Sequence, residues 1–576
     1  MKNSIKKFSM LACVSLLGLS LAGCAGQGGQ SSDNASSAPS ASKSSTALDS
    51  NIKAVDYTHA SYDELKDGGT LTLPITEIAE QGNVHHQDAS AYSRVLWELY
   101  NPVLVTFDDD FNPVPNPDYI TNVKEEEKDG KTVVTYTINE KASFNDGTPI
   151  DWRAFEATWK INNGQTQDYA PNSTDGYQDI VSVTAGENDK QAVVTFDKIY
   201  VWYYGLFNNI AHPKLVDPEF YKSGYLKTFN NDLGAGPFIV ENYDANAHRI
   251  SFVRNDKWWG KPAKLDKITY VQMEHTAQLN ALKNGEIDGI DNKSAGGVTT
   301  KERFDAVKDI PGMKVYTASD NSSSVFMLNS KSEVLSDPRV RKALFQVRDR
   351  DQLAKIAYNG LDYDAPRAGS FVLFNNQEGY EDNFSKAVEF DPEGAKKLLD
   401  EAGWVPGEDG IRVKDGKRLE LDWPLFGDSQ TIKAGYLAYQ QMCKDAGIQI
   451  NIVEYPSKEF SNVYTKRQFD IMSLGFRSSD PFGVAYFNQI YGSDSGLNLS
   501  STGTEEFDKK IEELAKIPNA KDQIAAANKL EVEAFKLYGI MPGSVAPART
   551  IMKEGLANMG SRGLSTTTPE NIGWLK

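Results

Sequence analysis

The chain has 576 residues, 40 % of them hydrophobic and 11 % aromatic, enough apolar material for a large core and more than one domain. Its formal net charge is −18, from 79 acidic and 61 basic residues. A surface of that sign repels nucleic acid and anionic lipid, which excludes both as partners of the body, and three cysteines give no disulfide framework.

The first segments are processing signals rather than fold. Lys2, Lys6 and Lys7 precede an apolar run from Phe8 to Ala22, closed by Leu21-Ala22-Gly23-Cys24. The run is shorter than the roughly 20 residues of a membrane span. Basic start, apolar middle and small residues at the end make residues 1–23 a secretory signal. Leu-Ala-Gly-Cys matches the lipobox of bacterial lipoproteins, so Cys24 is the expected lipidation site. Residues 24–60 are dominated at first by Ser, Ala, Gly and Asn and cannot bury enough surface to offset chain entropy. They read as a tether that lifts the body about 30 Å from a membrane. Cys13 leaves with the signal, and Cys443, on a helical pattern in "AYQQMCKDAG", is expected to be buried.

From residue 68 onward, strand-like and helix-like stretches alternate. "GGTLTLPI" (68–75) is a first strand. "KTVVTYTIN" (131–139) and "QAVVTFD" (191–197) alternate as half-exposed antiparallel strands do. "FIVENYD", "RISFVRN" and "KITYVQM" (238–273) form a meander, followed by the helix "TAQLNALKNG" that stops at Gly285 and by the strand "EIDGI". Ser336 or Asp337 caps a helix with Pro338 at its first position, and Asp391 with Pro392 repeats the device in "FDPEGAKKLLDEAGW", which ends at Gly403. "IQINIVEY" and "FDIMSLGF" are buried-type strands flanking a short helix. The pattern is α/β with mixed sheets in at least two lobes, and the cleft between lobes is the expected ligand site.

Enzyme motifs are missing: no G-x-S-x-G, H-E-x-x-H, G-x-x-x-x-G-K-[ST] or C-x-x-C occurs. "GAGPF" (234–238) is only a turn. The adjacent pair His85-His86 points to opposite faces if on a strand and is a poor chelate. "DSGLNLSSTGTE" (494–505) has Leu499 where a calcium loop needs glycine, and reads as a plain surface loop. Neither metal nor cofactor is expected, and no catalytic residue.

Five stretches, in order, resemble the extracellular solute-binding proteins of family 5, which serve peptide and oligopeptide ABC importers. "YTINEKASFNDGTPIDWRAFEATWK" (136–160) is similar to the F-x-D-G-x-P signature through Phe144, Asp146, Gly147 and Pro149. "LGAGPFIVENYDANAHRISFVRNDKWWGKPAKLDKITY" (233–270), "ALKNGEIDGID", "MLNSKSEVLSDPRVRKAL" and "FDPEGAKKLLDEAGW" resemble four further family segments. The likeness runs over about residues 68–575. Two departures stand out: Ala154-Phe155 after the turn, where an acidic pair member is common, and extra charge in "FQVRDRDQL" (345–353); both are assigned to scaffold.

The resemblance implies a bilobal, periplasmic-binding-protein-like α/β fold with three domains: domain I at 61–96, 205–320 and 541–576, domain II at 97–204, and domain III at 321–540. It implies a receptor, anchored on the extracytoplasmic face of the bacterial membrane by its lipid alone, that binds peptide between two lobes and passes it to permease subunits. A monomer is expected. Other solutes of this fold, nickel chelates or oligosaccharides, are the alternative, and a secreted peptide hydrolase a more distant one.

In the family, a carboxylate following a Gly-Trp/Phe stretch meets the peptide ammonium. Here that stretch contains Phe476, and Asp480 is the nearest acid, with Ser479 one position off; Asp480 before Pro481 also fits a simple turn cap. Arg477 and Arg367 are candidates for a ligand carboxylate, or for protein ion pairs. Asp88 and Tyr92, in "NVHHQDASAY", lie in a segment the family uses to line the cleft, although Asp88 equally suits a helix N-cap; His86 would favour a metal chelate as ligand.

Overall fold

A computed structural model describes residues 52–427, 429–456 and 459–576; Cys24 and the expected leader lie outside the described residues. The tether expected to reach residue 60 ends earlier. Asp56–Tyr57 pairs as a strand with Gly560–Ser561, Asp56 accepts from the Thr317 amide at 2.9 Å, and the Arg562 guanidinium lies 3.9 Å from the Tyr57 ring centroid. These specific partners hold a stretch whose composition alone builds no core.

Strand Thr70–Ile75 runs parallel to Lys267–Gln272, which continues antiparallel through Arg249–Arg254 to Phe238–Asp244. Leu71, Leu73, Ile250, Phe252 and Ile268 are buried from this sheet against helix Ala91–Tyr100, which contributes Leu96, Leu99 and Tyr100. The glycines of "GAGPF" permit a close backbone approach here. A Cβ on Gly234 would stand 2.4 Å from the Tyr100 carbonyl, and the amides of Ala235 and Gly236 both donate to that oxygen at 3.0 Å.

A second sheet is wholly antiparallel, in the order Ile120–Lys128, Lys131–Ile138, Gln191–Phe196, Ile180–Ala185. Val134, Tyr136, Ala192, Val194 and Phe196 point inward as the alternation predicts. The turn at Phe144–Pro149 closes through the Phe144 amide on Thr148 O at 2.8 Å, and Gly147 has φ +92°, a left-handed conformation open to glycine. Helix Trp152–Asn162, capped by Asp151, buries Ala154 and Phe155, the two positions that depart from the family pattern.

Two long strands join the lobes. Met313–Leu328 and Ile540–Lys553 pair antiparallel along most of their length, with Ile471–Arg477 added beside the second half of the former and Gly289–Ile290 beside the end of the latter. Their register breaks between Ser319 and Val325. Beyond that break, strands Glu420–Phe426 and Gln449–Tyr455 pair in parallel. Helix Pro338–Gln346 is capped by Asp337, and helix Pro392–Glu401 by Asp391 with Gly403 at φ +87° past its end. Cys443 is buried, and burial pushes its thiol up to about 12.

The segment 494–505 is not a plain surface loop. Leu499, Asn498 and Ser500 are buried, because Asn498 Nδ2 donates to the carbonyls of Tyr491 at 3.1 Å and Gly492 at 3.2 Å, and its Oδ1 accepts from Ser500 at 2.5 Å. The loop supplies its own polar partners and so tolerates burial. Among the described residues, no helix is long and apolar enough to cross a membrane.

Candidate cleft between the lobes

A cavity of about 4310 Å³ runs between the lobes. Its walls come from the loop and helix at 84–98, from 162–179 and 198–209, and from segments of 348–361, 423–436 and 473–497. Phe476, Arg477, Ser479, Asp480, Asp88 and Tyr92 all line it; Arg367 and His86 are not on its wall.

Asp480 is held in a turn at the end of strand Ile471–Arg477. Its Oδ1 accepts from the Phe482 amide at 2.9 Å, and its Oδ2 from Tyr486 at 2.6 Å and Ser479 Oγ at 2.9 Å. The turn sets Phe482 against Phe107 and Trp202, with ring centroids 5.7 and 6.0 Å apart, so the Asp480 loop bridges to the wall formed by 198–209. Across it, Asp175 accepts from Gln489 and Ser173. Burial pushes the Asp175 carboxyl above its ordinary range, with Asp179 and Asp480 adding negative charge nearby. Lys198 pairs with Asp179 at 2.9 Å, which leaves Asp480 and Asp175 as the acidic groups of this corner without a basic partner among the described residues.

The two arginines singled out in the sequence are both engaged. Arg477 forks onto Asp320, with Nη2–Oδ2 at 2.6 Å and Nη1–Oδ1 at 2.9 Å. Asp320 lies in the register break of the long strand, so this pair pins the crossing between lobes. Arg367 forks onto Asp351. Helix Ala91–Tyr100 is capped by Ser90, which accepts from Ser93 N, not by Asp88. Asp88 instead faces His86 at 3.6 Å. His85 Nδ1 lies 3.1 Å from Asn162 Nδ2, and burial lowers this histidine to about 4. His85 is thus tied into the wall, and His86 lies behind it, paired with Asp88. Among the described residues, no three His, Cys, Asp or Glu side chains are placed to hold a metal.

Among the cleft cations that the sequence reading missed are Arg94 and Arg348. Arg94, on the exposed side of helix Ala91–Tyr100, lines the cavity and has no ion-pair partner among the described residues. Arg348 lines it from the opposite lobe, in the charged stretch "FQVRDRDQL" assigned above to scaffold. The departure from the family pattern was its only signal, and burial by distant aromatic residues gave none.

The family model described as "Bacterial extracellular solute-binding proteins, family 5 Middle" matches residues 114–498. The oligopeptide-binding protein OppA of Mycobacterium tuberculosis is 32 % identical over 520 residues, covering 89 % of this chain and 86 % of its own. Among solved structures, the periplasmic EDTA-binding protein EppA has a TM-score of 0.79 at 23 % identity, covering 92 % of this chain and all of its own. The oligopeptide-binding protein AppA of Bacillus subtilis, in complex with a nonapeptide, has a TM-score of 0.68 at 18 % identity, covering 89 % of this chain and all of its own. With its mixed sheets, its cleft and a family match over most of its length, the chain belongs to the bacterial extracellular solute-binding proteins of family 5.

Proposed function

We propose that the chain is the lipid-anchored receptor of an ABC importer and that its solute is a peptide, taken between the lobes and released unchanged to the permease. One observation carries the choice of a peptide: the 4310 Å³ cleft is several times the roughly 300–1,000 Å³ of a small-molecule pocket. Such a volume suits an extended chain lying along the strand end at 473–480. The name of the 32 %-identical relative supports the same reading. Anchoring would come through Cys24, with the three-domain division given above and a monomeric body.

The negative corner at Asp480 and Asp175 would receive the peptide's ammonium, with Ser479 and Phe476 beside it. Binding follows mass action, so ligand at 100 times its dissociation constant stabilises the protein by about 2.7 kcal/mol. Calorimetric titration with defined tri- to hexapeptides, followed by chromatography, tests this. The expected result is saturation at about one peptide per chain with the peptide recovered intact. Cleaved peptide would establish a hydrolase, and saturation by a nickel chelate or an oligosaccharide alone would replace the peptide.

A further inference from the structure

Arg348 stands immediately after helix Pro338–Gln346, on the cleft wall, in a box of aromatic rings. Its guanidinium carbon lies 4.2 Å from the Phe326 centroid and 4.6 Å from that of Tyr439, with Trp423 at 6.0 Å. Trp423 in turn stacks on Tyr436 at 3.6 Å, which makes the box rigid. Nε and Nη1 of Arg348 are buried without a hydrogen-bond partner. No carboxylate among the described residues forms an ion pair with it, in contrast to Arg477 and Arg367, each forked onto an aspartate.

An arginine remains charged at any physiological pH, so lowering by burial does not neutralise it. The aromatic faces offset part of its desolvation, but they leave its donors unsatisfied. Nε and Nη1 are enclosed and lie on different edges of the guanidinium, so a carboxylate in the cavity would be met from the Nη2 side of this planar, otherwise unused donor group. Arg350 Nε and Trp423 Nε1 are also buried without a partner, but Arg350 still donates through Nη2 to the carbonyls of Ala368 and Gly543, whereas the Arg348 side chain makes no hydrogen bond among the described residues. Glu531, fully buried, accepts from Asn383, Tyr491 and the Phe371 amide and is complete without a ligand.

We infer that Arg348, boxed by Phe326, Trp423 and Tyr439, is an anion subsite of the cleft that takes a carboxylate of the bound solute. This rests on the cleft being the solute site. It separates charges along the ligand: the ammonium at the Asp480 corner and a carboxylate at Arg348. In a peptide the carboxylate is either the C-terminus or an Asp or Glu side chain.

The test compares full-length wild type with Arg348→Met and Arg348→Lys. Benzoate and benzamide are each titrated in a thermal-shift assay. Three randomised pentapeptide pools are then offered in affinity selection read by mass spectrometry: amidated without Asp or Glu, free-acid without Asp or Glu, and amidated with Asp or Glu. Benzoate stabilises wild type and benzamide does not; Arg348→Met responds to neither and Arg348→Lys keeps a weaker benzoate response. Wild type prefers a carboxylate-bearing pool by about 30-fold or more, as expected for a buried charge pair, and Arg348→Met loses the preference. Excess of the free-acid pool assigns the C-terminus, and excess of the Asp/Glu pool assigns a side chain. The ligand-free melting temperature of Arg348→Met should not fall, because the substitution removes an unpaired buried charge. Equal responses to benzoate and benzamide in all three proteins, with no pool preference lost in Arg348→Met, overturn the anion site. Retention of no pool together with an Arg348-dependent benzoate response refutes the peptide and leaves the anion site standing.

Discussion

Asp480 sits in a turn that already uses its carboxylate, yet the same group lines the cleft. Asp480→Asn keeps an oxygen to accept from the Phe482 amide and removes the charge, while the amide nitrogen that replaces Oδ2 obliges the Tyr486 and Ser479 hydroxyls to turn and accept from it. Free-amine peptides should therefore weaken by about 30-fold or more, and N-acetylated peptides little. Calorimetry with both ligand forms on both proteins checks this, and equal affinities throughout would take Asp480 out of the site. A second residue sets a pH dependence. Burial raises Glu570 from 4.5 to about 7, with Asp118 pushing the same way and Lys261 opposing. Between those two values the folded chain holds a proton that the unfolded chain has released. Stability thus falls as pH rises through this window, by up to about 3 kcal/mol. Denaturant unfolding at pH 5 and pH 8 should show that loss in wild type and a flatter profile in Glu570→Gln. Single residues were only partly legible in the sequence. The Asp-Pro turn announced itself through local chemistry. Arg348 did not, because a charged residue at a helix end reads as solvated until Phe326, Trp423 and Tyr439 are brought over it.

Capped helices and alternating strands were the most legible elements, since their signals are local: Asp337 before Pro338, Asp391 before Pro392, inward Val134 and Tyr136. The two long strands that join the lobes were not read at all. "SDNSSS" (319–324) has neither apolar alternation nor β-branched residues, and it falls where the register breaks and side chains turn to the cleft. At that break Arg477 holds Asp320, which also accepts from the Asn321 amide at 2.9 Å and Ser322 Oγ at 2.8 Å. Arg477→Ala leaves a buried carboxylate short of its strongest donor, at a cost of about 1–3 kcal/mol. Thermal and denaturant unfolding measure that cost. A variant with unchanged stability and weakened peptide binding would move Arg477 from the strand crossing to the ligand.

At the scale of the molecule, two lobes are joined by a pair of strands with an irregular crossing, and the proposed function calls for the lobes to close on the solute about that crossing. Family motifs spread from Phe144 to Trp404 made this architecture legible, whereas the cleft's charge layout depends on contacts between residues far apart in the chain. The anchor belongs to this scale too. Cys24→Ala should move the protein out of the membrane fraction or leave an unprocessed precursor, and processed protein still fractionating with membranes would contradict the lipid assignment. The central claim, that the cleft carries a peptide and releases it unchanged, is tested most directly on what the protein brings with it. Full-length protein, purified without added ligand, is denatured and the released small molecules are identified and counted by mass spectrometry. The account predicts intact peptides totalling up to about one per chain, each carrying a free amine and a carboxylate. A stoichiometric solute of another class, a metal chelate or an oligosaccharide with no peptide beside it, would contradict it.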